Sequence, residues 1–412
     1  MSDIIVVGAG AAGLACASSL VRRGLTVTVL EARDRVGGRI LTLRDEGDTP
    51  CEIGAQVVHG ESAVTFEVIR EAGLRATPIR KDLPFAITAD GRRYTPADLV
   101  RAGADLPWTV EERLGLSAAP ERPVSGLLDA GSALGHLVAR AWLMQVWCAD
   151  PDRLSIAGMS ATRRAWRSGR EDYDLPDGYD LVARHLARDL DIHLATAVDL
   201  VRWGNERVTI DASDREWTAR AAVVTVPPSV IAGGGILFEP ALPIERLEAV
   251  ASIAVGDAVS IVAVWSERSP ESGWALAASE PSGFWRVREG SRLIQGWVKG
   301  PAAAIARTLF TAPERIDQVV TLAFPWIRGR ATKVRLVDWG ADPYARGGFA
   351  YPVAGSHAAQ LDWAAPLAGT LFFAGDASTG ARHAGTVHGA IESGRRAAAE
   401  AAVALGPRAP GG

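Results

Sequence analysis

Three glycines near the amino terminus stand at a spacing that can bind a pyrophosphate. Gly8, Gly10 and Gly13 follow a short β-branched run and precede a helical pattern that ends near Gly24. Such glycines permit a tight turn and let N–H groups at a helix N-terminus approach phosphate closely. A second apolar run ends at Glu31, where a carboxylate can accept hydrogen bonds from both ribose hydroxyls. The pattern predicts a dinucleotide site, and the acid disfavours a 2′-phosphate.

Four segments of the chain resemble the flavin-containing amine oxidase family, which includes monoamine and polyamine oxidases. They are the first turn at 4–39, EIGAQVVHG within 51–60, the Trp-x-x-Asp-Pro-Tyr pattern at 337–351, and a strand, Gly-Asp turn and helix at 372–397. They follow the family's order and span nearly the whole chain. The resemblance implies bound FAD. Some relatives attach the flavin to a cysteine, and Gly348 stands at that position here, so we expect non-covalent binding.

The resemblance also implies which residues contact FAD. Arg39 would lie near the pyrophosphate, and the backbone of Gly54 and Ala55 near the flavin ring. The backbone of Val198 would touch the adenine. Asp376 would accept a hydrogen bond from the ribitol or lie near the pyrophosphate. The predicted cofactor-binding residues are Gly8, Gly10, Ala11, Ala12, Gly13, Glu31, Ala32, Arg33, Gly37, Gly38, Arg39, Gly54, Ala55, Gln56, Val57, Val198, Trp339, Gly375, Asp376, Gly385, Thr386 and Val387.

The family's catalytic positions are only partly kept. Most relatives carry a lysine in a Gly-x-x-x-Lys-Val strand, and the matching position here is Ser260. No other lysine lies in a family motif, so we expect a slow reaction with O₂ or a substitute cation such as His59. His59 matches a histidine that positions substrate in relatives, although a structural role is an equal alternative. The family's aromatic pair maps to Phe349 and Thr386. The predicted catalytic set is His59, Ser260, Phe349 and Thr386, and no metal is expected.

The predicted fold is α/β. A Rossmann-like FAD-binding domain of the glutathione-reductase and amine-oxidase type is interleaved with an α+β substrate-binding domain. The middle segment reads as an inserted, mostly helical unit, and the later segment alternates like a sheet. The predicted boundaries are 1–75, 186–252 and 364–405 for the FAD-binding domain, 76–185 and 253–363 for the substrate-binding domain, and 406–412 for a disordered tail.

The function that this resemblance implies is FAD-dependent oxidation of an amine. Hydride would pass from the carbon next to nitrogen to flavin N5, the imine would hydrolyse, and O₂ or another acceptor would reoxidise the flavin. One alternative is a desaturase or dehydrogenase acting on a C–C or C–N bond of a larger metabolite, as in protoporphyrinogen-oxidase-like or carotenoid-desaturase-like enzymes. An L-amino-acid oxidase is another. A flavin-fold binding module without chemistry is the third.

The amino-acid composition limits the kinds of binding partner that we expect for this protein. The chain has 412 residues, a net charge of −4 and 48% hydrophobic residues. Such a composition is typical of a soluble globular protein and argues against a general nucleic-acid surface. The three cysteines are unclustered, and no signal peptide or long apolar run is evident. We therefore expect a cytoplasmic monomer or homodimer whose partners are a small amine and an electron acceptor, with no nucleic acid or membrane.

Overall fold

The structure, a computed structural model, describes residues 2–47, 49–116 and 121–406. The predicted disordered tail, apart from Gly406, lies outside the described residues. The strands are β1 Ser2–Val7, β2 Val27–Leu30, β3 Thr42–Leu43, β4 Cys51–Glu52, β5 Val58–His59, β6 Thr77–Pro78, β7 Phe85–Ala89, β8 Arg92–Tyr94, β9 Asp172–Asp174, β10 Asp191–His193, β11 Val198–Trp203, β12 Val208–Ala212, β13 Arg215–Val224, β14 Leu237–Glu239, β15 Ala258–Trp265, β16 Gly273–Ala277, β17 Gly283–Val287, β18 Leu293–Lys299, β19 Ala331–Asp338 and β20 Leu371–Phe373.

The α-helices connect and cover these strands. They are α1 Ala11–Val21, α2 Thr65–Glu71, α3 Pro96–Arg101, α4 Pro107–Gly115, α5 Ala133–Trp147, α6 Ile156–Ala165, α7 Asp180–Leu186, α8 Pro228–Ala232, α9 Ile244–Ser252, α10 Ala302–Leu309, α11 Pro313–Ala323, α12 Ser356–Ala364 and α13 Val387–Leu405. A short 3₁₀ helix spans Val124–Leu127. Within the described part of the chain, no helix is long and apolar enough to cross a membrane.

The first sheet carries both glycine turns. Its strand order is β10-β2-β1-β13-β12-β11-β14, and β20 pairs with β13. The pairs β1–β2, β1–β13 and β13–β20 are parallel. Parallel central strands are buried on both faces, which explains the unbroken apolar runs of β1 and β2. The turns after β1 and β20 therefore open at the same edge of the sheet, where α/β folds bind their ligands.

Helices α1 and α13 pack closely against each other on one face of this sheet. A Cβ added at Gly394 would lie 2.1 Å from the carbonyl oxygen of Ala12, so glycine is required where the helices touch. Helix α7 joins the same core through Val182 and Ala183. Residues just before the predicted boundary at 186 thus contribute to this core, and the domain boundaries stay a prediction. The opposite face of the sheet is covered by α8, α9 and α12.

The second sheet is mixed, with strand order β19-β15-β18-β17-β16-β7-β8. Strands β7 and β8 come from the middle segment, so that segment contributes to the sheet as well as supplying helices. Because side chains alternate along a strand, the two faces of this sheet differ. One face, with Val259 and Ile261 of β15, packs on α10 and α11. The other face carries Ala258 and Ser260 and borders a cavity. The predicted fold class is confirmed.

Candidate active site

A cavity of about 1340 Å³ runs from the edge of the first sheet to the second sheet and the helices α4, α5 and α6. Its lining includes every predicted catalytic residue and every predicted cofactor-binding residue except Gly13. Residues far apart in the sequence, such as Gly8, Val198 and Gly385, thus share one wall. The two glycine turns that open at the same sheet edge border this single cavity.

The first turn brings its backbone to the cavity wall. Gly8 has φ +104°, a left-handed backbone conformation that residues with a side chain rarely adopt. Gly10 has an extended backbone and is the N-cap residue of α1. Gly13 is different, because it lies behind the wall: a Cβ there would be 1.9 Å from the carbonyl oxygen of Gly8. Gly13 is absent from the cavity lining, and its contact with the cofactor stays a prediction. Its absent side chain lets α1 pack against the end of β1.

Glu31 lies immediately after β2 and is buried at the cavity wall. Its Oε2 accepts a hydrogen bond from the Ala9 N–H at 2.7 Å, and its Oε1 accepts one from the Arg33 N–H at 2.9 Å. Each carboxylate oxygen retains acceptor capacity beyond these two bonds. The backbone therefore holds the carboxylate in one orientation beside the first turn, where it can accept hydrogen bonds from a ribose.

Arg39 joins three distant segments at the cavity wall. Its guanidinium forms an ion pair with Asp376, which is 6% exposed, and donates to the Gly348 carbonyl oxygen at 2.6 Å. Arg39 thus connects the Gly37-Gly38 turn to the C-terminal Gly-Asp turn and to the loop before Phe349. The bidentate geometry suits the guanidinium, since its N–H groups form a rigid fork.

Helix α13 begins at the cavity with a well-formed cap. The Thr386 Oγ1 accepts from the Gly389 N–H at 3.0 Å and donates to the His383 carbonyl oxygen at 2.6 Å. The hydroxyl of Thr386 is therefore used in capping, which the sequence analysis did not anticipate. The N-terminal end of α13 carries a partial positive charge and borders the cavity.

FAD fits these residues. The cavity is continuous from Glu31 at one end to Thr386 and Ser260 at the other, and the N-termini of α1 and α13 both face it. The first can hold a pyrophosphate and the second can stabilise negative charge on a flavin ring. Bare backbone at Gly8, Gly10 and Gly54 permits close approach. At Gly54 a Cβ would lie 1.9 Å from the Arg39 carbonyl oxygen.

Beyond the predicted flavin end, the cavity has aromatic walls. Phe349, Trp297 and Trp274 all line it, and the rings of the two tryptophans stack at 5.8 Å between centroids. Ser260 is buried on β15 and borders the same space. His59 also lines the cavity with a half-exposed side chain, and its Nδ1 is 2.8 Å from Asp172 Oδ1. Its role as a substitute cation stays a prediction.

His388 is a buried histidine on α13 that forms part of the packing. Its ring contacts Trp166 and His383 edge to face, at 5.4 Å and 4.4 Å between centroids. Burial, followed by the nearby His383, lowers the pKa of His388 to about 3. The ring is therefore neutral at physiological pH, as its apolar surroundings require.

Two ionisable residues of the cavity were missed by sequence reasoning. Glu111 of α4 accepts hydrogen bonds from two indole N–H groups, Trp142 Nε1 at 2.6 Å and Trp147 Nε1 at 2.9 Å. Lys299 of β18 borders the cavity with its Nζ 5.4 Å from the centre of the Phe349 ring. Sequence reasoning considered only lysines within family motifs, and Lys299 lies outside them. The sequence did not place Lys299 at the cavity because the pairing of β15 with β18 was not known. It did not place Glu111 there because the packing of α4 against α5 was not known.

Comparison with known proteins agrees with this site. A family model described as flavin containing amine oxidoreductase matches residues 11–144 and 141–402. The chain belongs to this family. It is 27% identical over 429 residues to polyamine oxidase 5 of Oryza sativa subsp. japonica, covering 95% of this chain and 86% of the relative. The protein is therefore an FAD-dependent oxidoreductase acting on amines.

Solved structures share the fold. Cyclohexylamine oxidase from Brevibacterium oxydans aligns with a TM-score of 0.78 at 21% identity, covering 97% of this chain and 98% of that one. Wild-type putrescine oxidase bound to putrescine aligns with a TM-score of 0.76 at 21% identity, with the same coverage. At this identity the likeness concerns the fold alone.

Proposed function

We propose that this protein oxidises an amine at the carbon next to its nitrogen. The amine would bind in the part of the cavity that has aromatic walls, here called the chamber. The observation that carries the proposal is the continuity of the cavity. It joins the dinucleotide-binding turns directly to a chamber bordered by Phe349, Trp297 and Ser260. Bound FAD, held non-covalently, supplies the hydride acceptor for this chemistry. The imine product then hydrolyses in water to a carbonyl compound.

The residues of the chamber have limited but definite tasks. Phe349 offers an aromatic face that can orient the substrate and exclude water from it. Exclusion of water favours the neutral amine over the ammonium ion, because a desolvated charge is costly. Neutral nitrogen is the form that can donate its lone pair as the neighbouring C–H bond breaks. Orientation of that bond is the main contribution expected from the protein.

The first test is anaerobic mixing of the FAD-loaded protein with polyamines, aryl-alkylamines, cyclic amines and L-amino acids. We expect bleaching of the oxidised flavin absorbance by at least one class of amine. Product analysis should then give the matching aldehyde or ketone and ammonia or a shortened amine. If no amine bleaches the flavin while a C–C desaturase substrate does, the proposed function is wrong.

Glu111 indicates the substrate class. It is partly buried at the cavity wall, and no described basic side chain forms an ion pair with it, whereas the adjacent Glu112 pairs with Arg163 at 2.6 Å. Trp142, Trp108 and Phe284 pack edge to face beside it, with 5.7 Å and 5.4 Å between ring centroids. A carboxylate among aromatic rings can recognise a second cationic nitrogen. We infer that diamines or polyamines are preferred, which agrees with the names of the polyamine and putrescine oxidases.

Replacing Glu111 with glutamine should separate diamines from monoamines. A charge-assisted hydrogen bond contributes about 1.5–3 kcal/mol, so kcat/KM for a diamine should fall at least about tenfold. For a monoamine of equal chain length it should change less than about threefold by the same reasoning. The matched control is Glu112→Gln, which should not alter the diamine preference. Equal losses for both substrates would contradict the role of Glu111 without affecting amine oxidation itself.

The same preference should depend on pH. Burial raises the pKa of Glu111 above its ordinary value, against the lowering effect of the Trp142 and Trp147 donors. The carboxylate fraction therefore grows as pH rises through this raised pKa, while the distal amine stays protonated. The ratio of diamine to monoamine kcat/KM should increase with pH in the native protein and stay flat in Glu111→Gln.

A further inference from the structure

Lys299 stands apart from the other lysines of this chain. The sequence has three: Lys81, Lys299 and Lys333. Lys81 bonds to Glu171 at 2.6 Å and Lys333 to Glu46 at 2.7 Å, both with well-exposed side chains. Lys299 instead faces the cavity, and no described carboxylate forms an ion pair with it. An ammonium without a counter-ion in a desolvated place is costly, so its presence calls for a functional explanation.

Strand pairing places Lys299 next to Ser260. In the antiparallel β15–β18 ladder, Lys299 lies opposite Ala258 and Trp297 lies opposite Ser260. Opposed residues share one face of a sheet, and diagonal neighbours are about 7–8 Å apart, which a long side chain can bridge. Lys299 and Ser260 therefore point to the same face, the one that borders the cavity. A lysine rooted on β18 can reach the space that a lysine rooted at position 260 of β15 would occupy.

The residues around Lys299 fix its backbone and lower the pKa of its side chain. The Gln145 side chain bonds to both backbone groups of Lys299, accepting from its N–H at 2.9 Å and donating to its carbonyl oxygen at 3.1 Å. Its Nζ lies over the Phe349 ring at a cation–π distance. Burial lowers the pKa of Lys299, and the neighbouring Cys148 acts weakly in the other direction.

We propose that Lys299 supplies, from the adjacent strand, the ammonium group that the family usually places at the position of Ser260. The proposal rests on the proposed amine oxidation, because it assigns Lys299 to the reoxidation that follows. Reduction of O₂ to H₂O₂ takes up two electrons from the reduced cofactor and two protons. An ammonium beside the reacting oxygen stabilises the negative charge that develops there before protonation. The expected slow reaction with O₂ is thereby replaced by an expected fast one.

Stopped-flow measurements can separate the two half-reactions, which are reduction of the flavin by the amine and its reoxidation by O₂. In Lys299→Met, reoxidation by O₂ should slow by on the order of 10²-fold, the usual loss when one stabilising donor is removed. Anaerobic reduction by the amine should be affected at least tenfold less. Lys299→Arg should retain part of the reoxidation rate, and S260K/K299M should recover it. Lys81→Met and Lys333→Met are matched controls and should behave as the native protein. A native reoxidation rate in Lys299→Met would overturn the proposal, while failure of any amine to reduce the native protein would instead overturn the proposed function.

A second readout does not depend on turnover or on a folded Lys299 variant. Lysine labelled with ¹³C at Cε should give three resonances, and Lys81→Met and Lys333→Met assign the third to Lys299 by elimination. Because burial lowers the pKa of Lys299, we expect this resonance to titrate below the ordinary range of a lysine. It should also shift when the bound flavin is reduced with dithionite, whereas the other two should not. A Lys299 resonance that is indifferent to flavin reduction would place its Nζ away from the cofactor and refute the proposal.

Discussion

Replacement of Arg39 with methionine is expected to destabilise the apoprotein by about 3 kcal/mol and to weaken FAD binding. The change removes the ion pair to Asp376 and the bond to the Gly348 carbonyl oxygen, and leaves a nearly buried carboxylate without its cation. Breaking a buried pair from one side typically costs about 3–5 kcal/mol. Urea unfolding of the apoprotein measures the first effect and flavin fluorescence titration measures the second. The apoprotein is needed because bound FAD adds its own stabilisation.

Two companion variants test the cause of this loss. In Arg39→Met, a second change of Asp376→Asn should restore part of the stability, because it removes the unpaired charge. Arg75→Met is the control for loss of an arginine ion pair: its guanidinium is 74% exposed and bonds to Asp177 at the surface. Exposed pairs contribute about 0–1 kcal/mol. If Arg39→Met lowers the free energy of unfolding no more than Arg75→Met does, the contacts of Arg39 with Asp376 and Gly348 have no special importance for the fold.

Alanine at Gly13 is expected to damage the fold, and alanine at Gly10 is expected to damage only cofactor binding. At Gly13 the new methyl group would meet the Gly8 backbone at 1.9 Å, and a backbone atom cannot move aside cheaply. The apoprotein should lose about 3 kcal/mol, near the upper end of typical overpacking costs. At Gly10 a Cβ meets nothing within 4 Å in the protein, but the residue borders the cavity.

Gly10→Ala should therefore leave apoprotein stability within about 0.5 kcal/mol of the native value, as for substitutions that disturb no packing. Its FAD affinity should fall at least tenfold, or about 1.4 kcal/mol, because the methyl group occupies space needed for close approach of the pyrophosphate. Urea unfolding and fluorescence titration of both variants provide the comparison. Equal apoprotein stabilities for the two variants would contradict the separate roles assigned to these glycines.

Much of the cofactor-binding region could be predicted because its signals are local. The spacing of Gly8, Gly10 and Glu31 specifies a strand, turn, helix and strand, and that unit has few ways to bind a ligand. The strand alternation around Ser260 likewise predicted which unit it belongs to. For Gly13 the motif was recognised, but its close packing against the Gly8 backbone was not. A motif shows that a small residue is needed, and only packing shows what approaches it.

The substrate end depended on contacts between distant segments. Glu111 comes from α4, its two indole donors from α5, and the opposite wall from the second sheet. The spacing of these residues in the sequence does not predict that they come together in the fold. Thr386 was expected at the substrate, yet its hydroxyl caps α13. A hydroxyl that donates one hydrogen bond and accepts another can offer a ligand only its second lone pair as an acceptor.

By itself, the sequence determined the family, the cofactor and the architecture of this protein, because these follow from short-range patterns of glycine, acid and apolar residues. The tertiary structure alone showed that Lys299 borders the active-site cavity. Family motifs locate a lysine by its position along one strand, and Ser260 at that position suggested that the charge was lost. Antiparallel pairing brings Lys299 to the same face from the next strand. Electrostatic interaction depends on distance in space and not on distance along the chain, so a lysine on either strand could act on the same site, as we propose for Lys299.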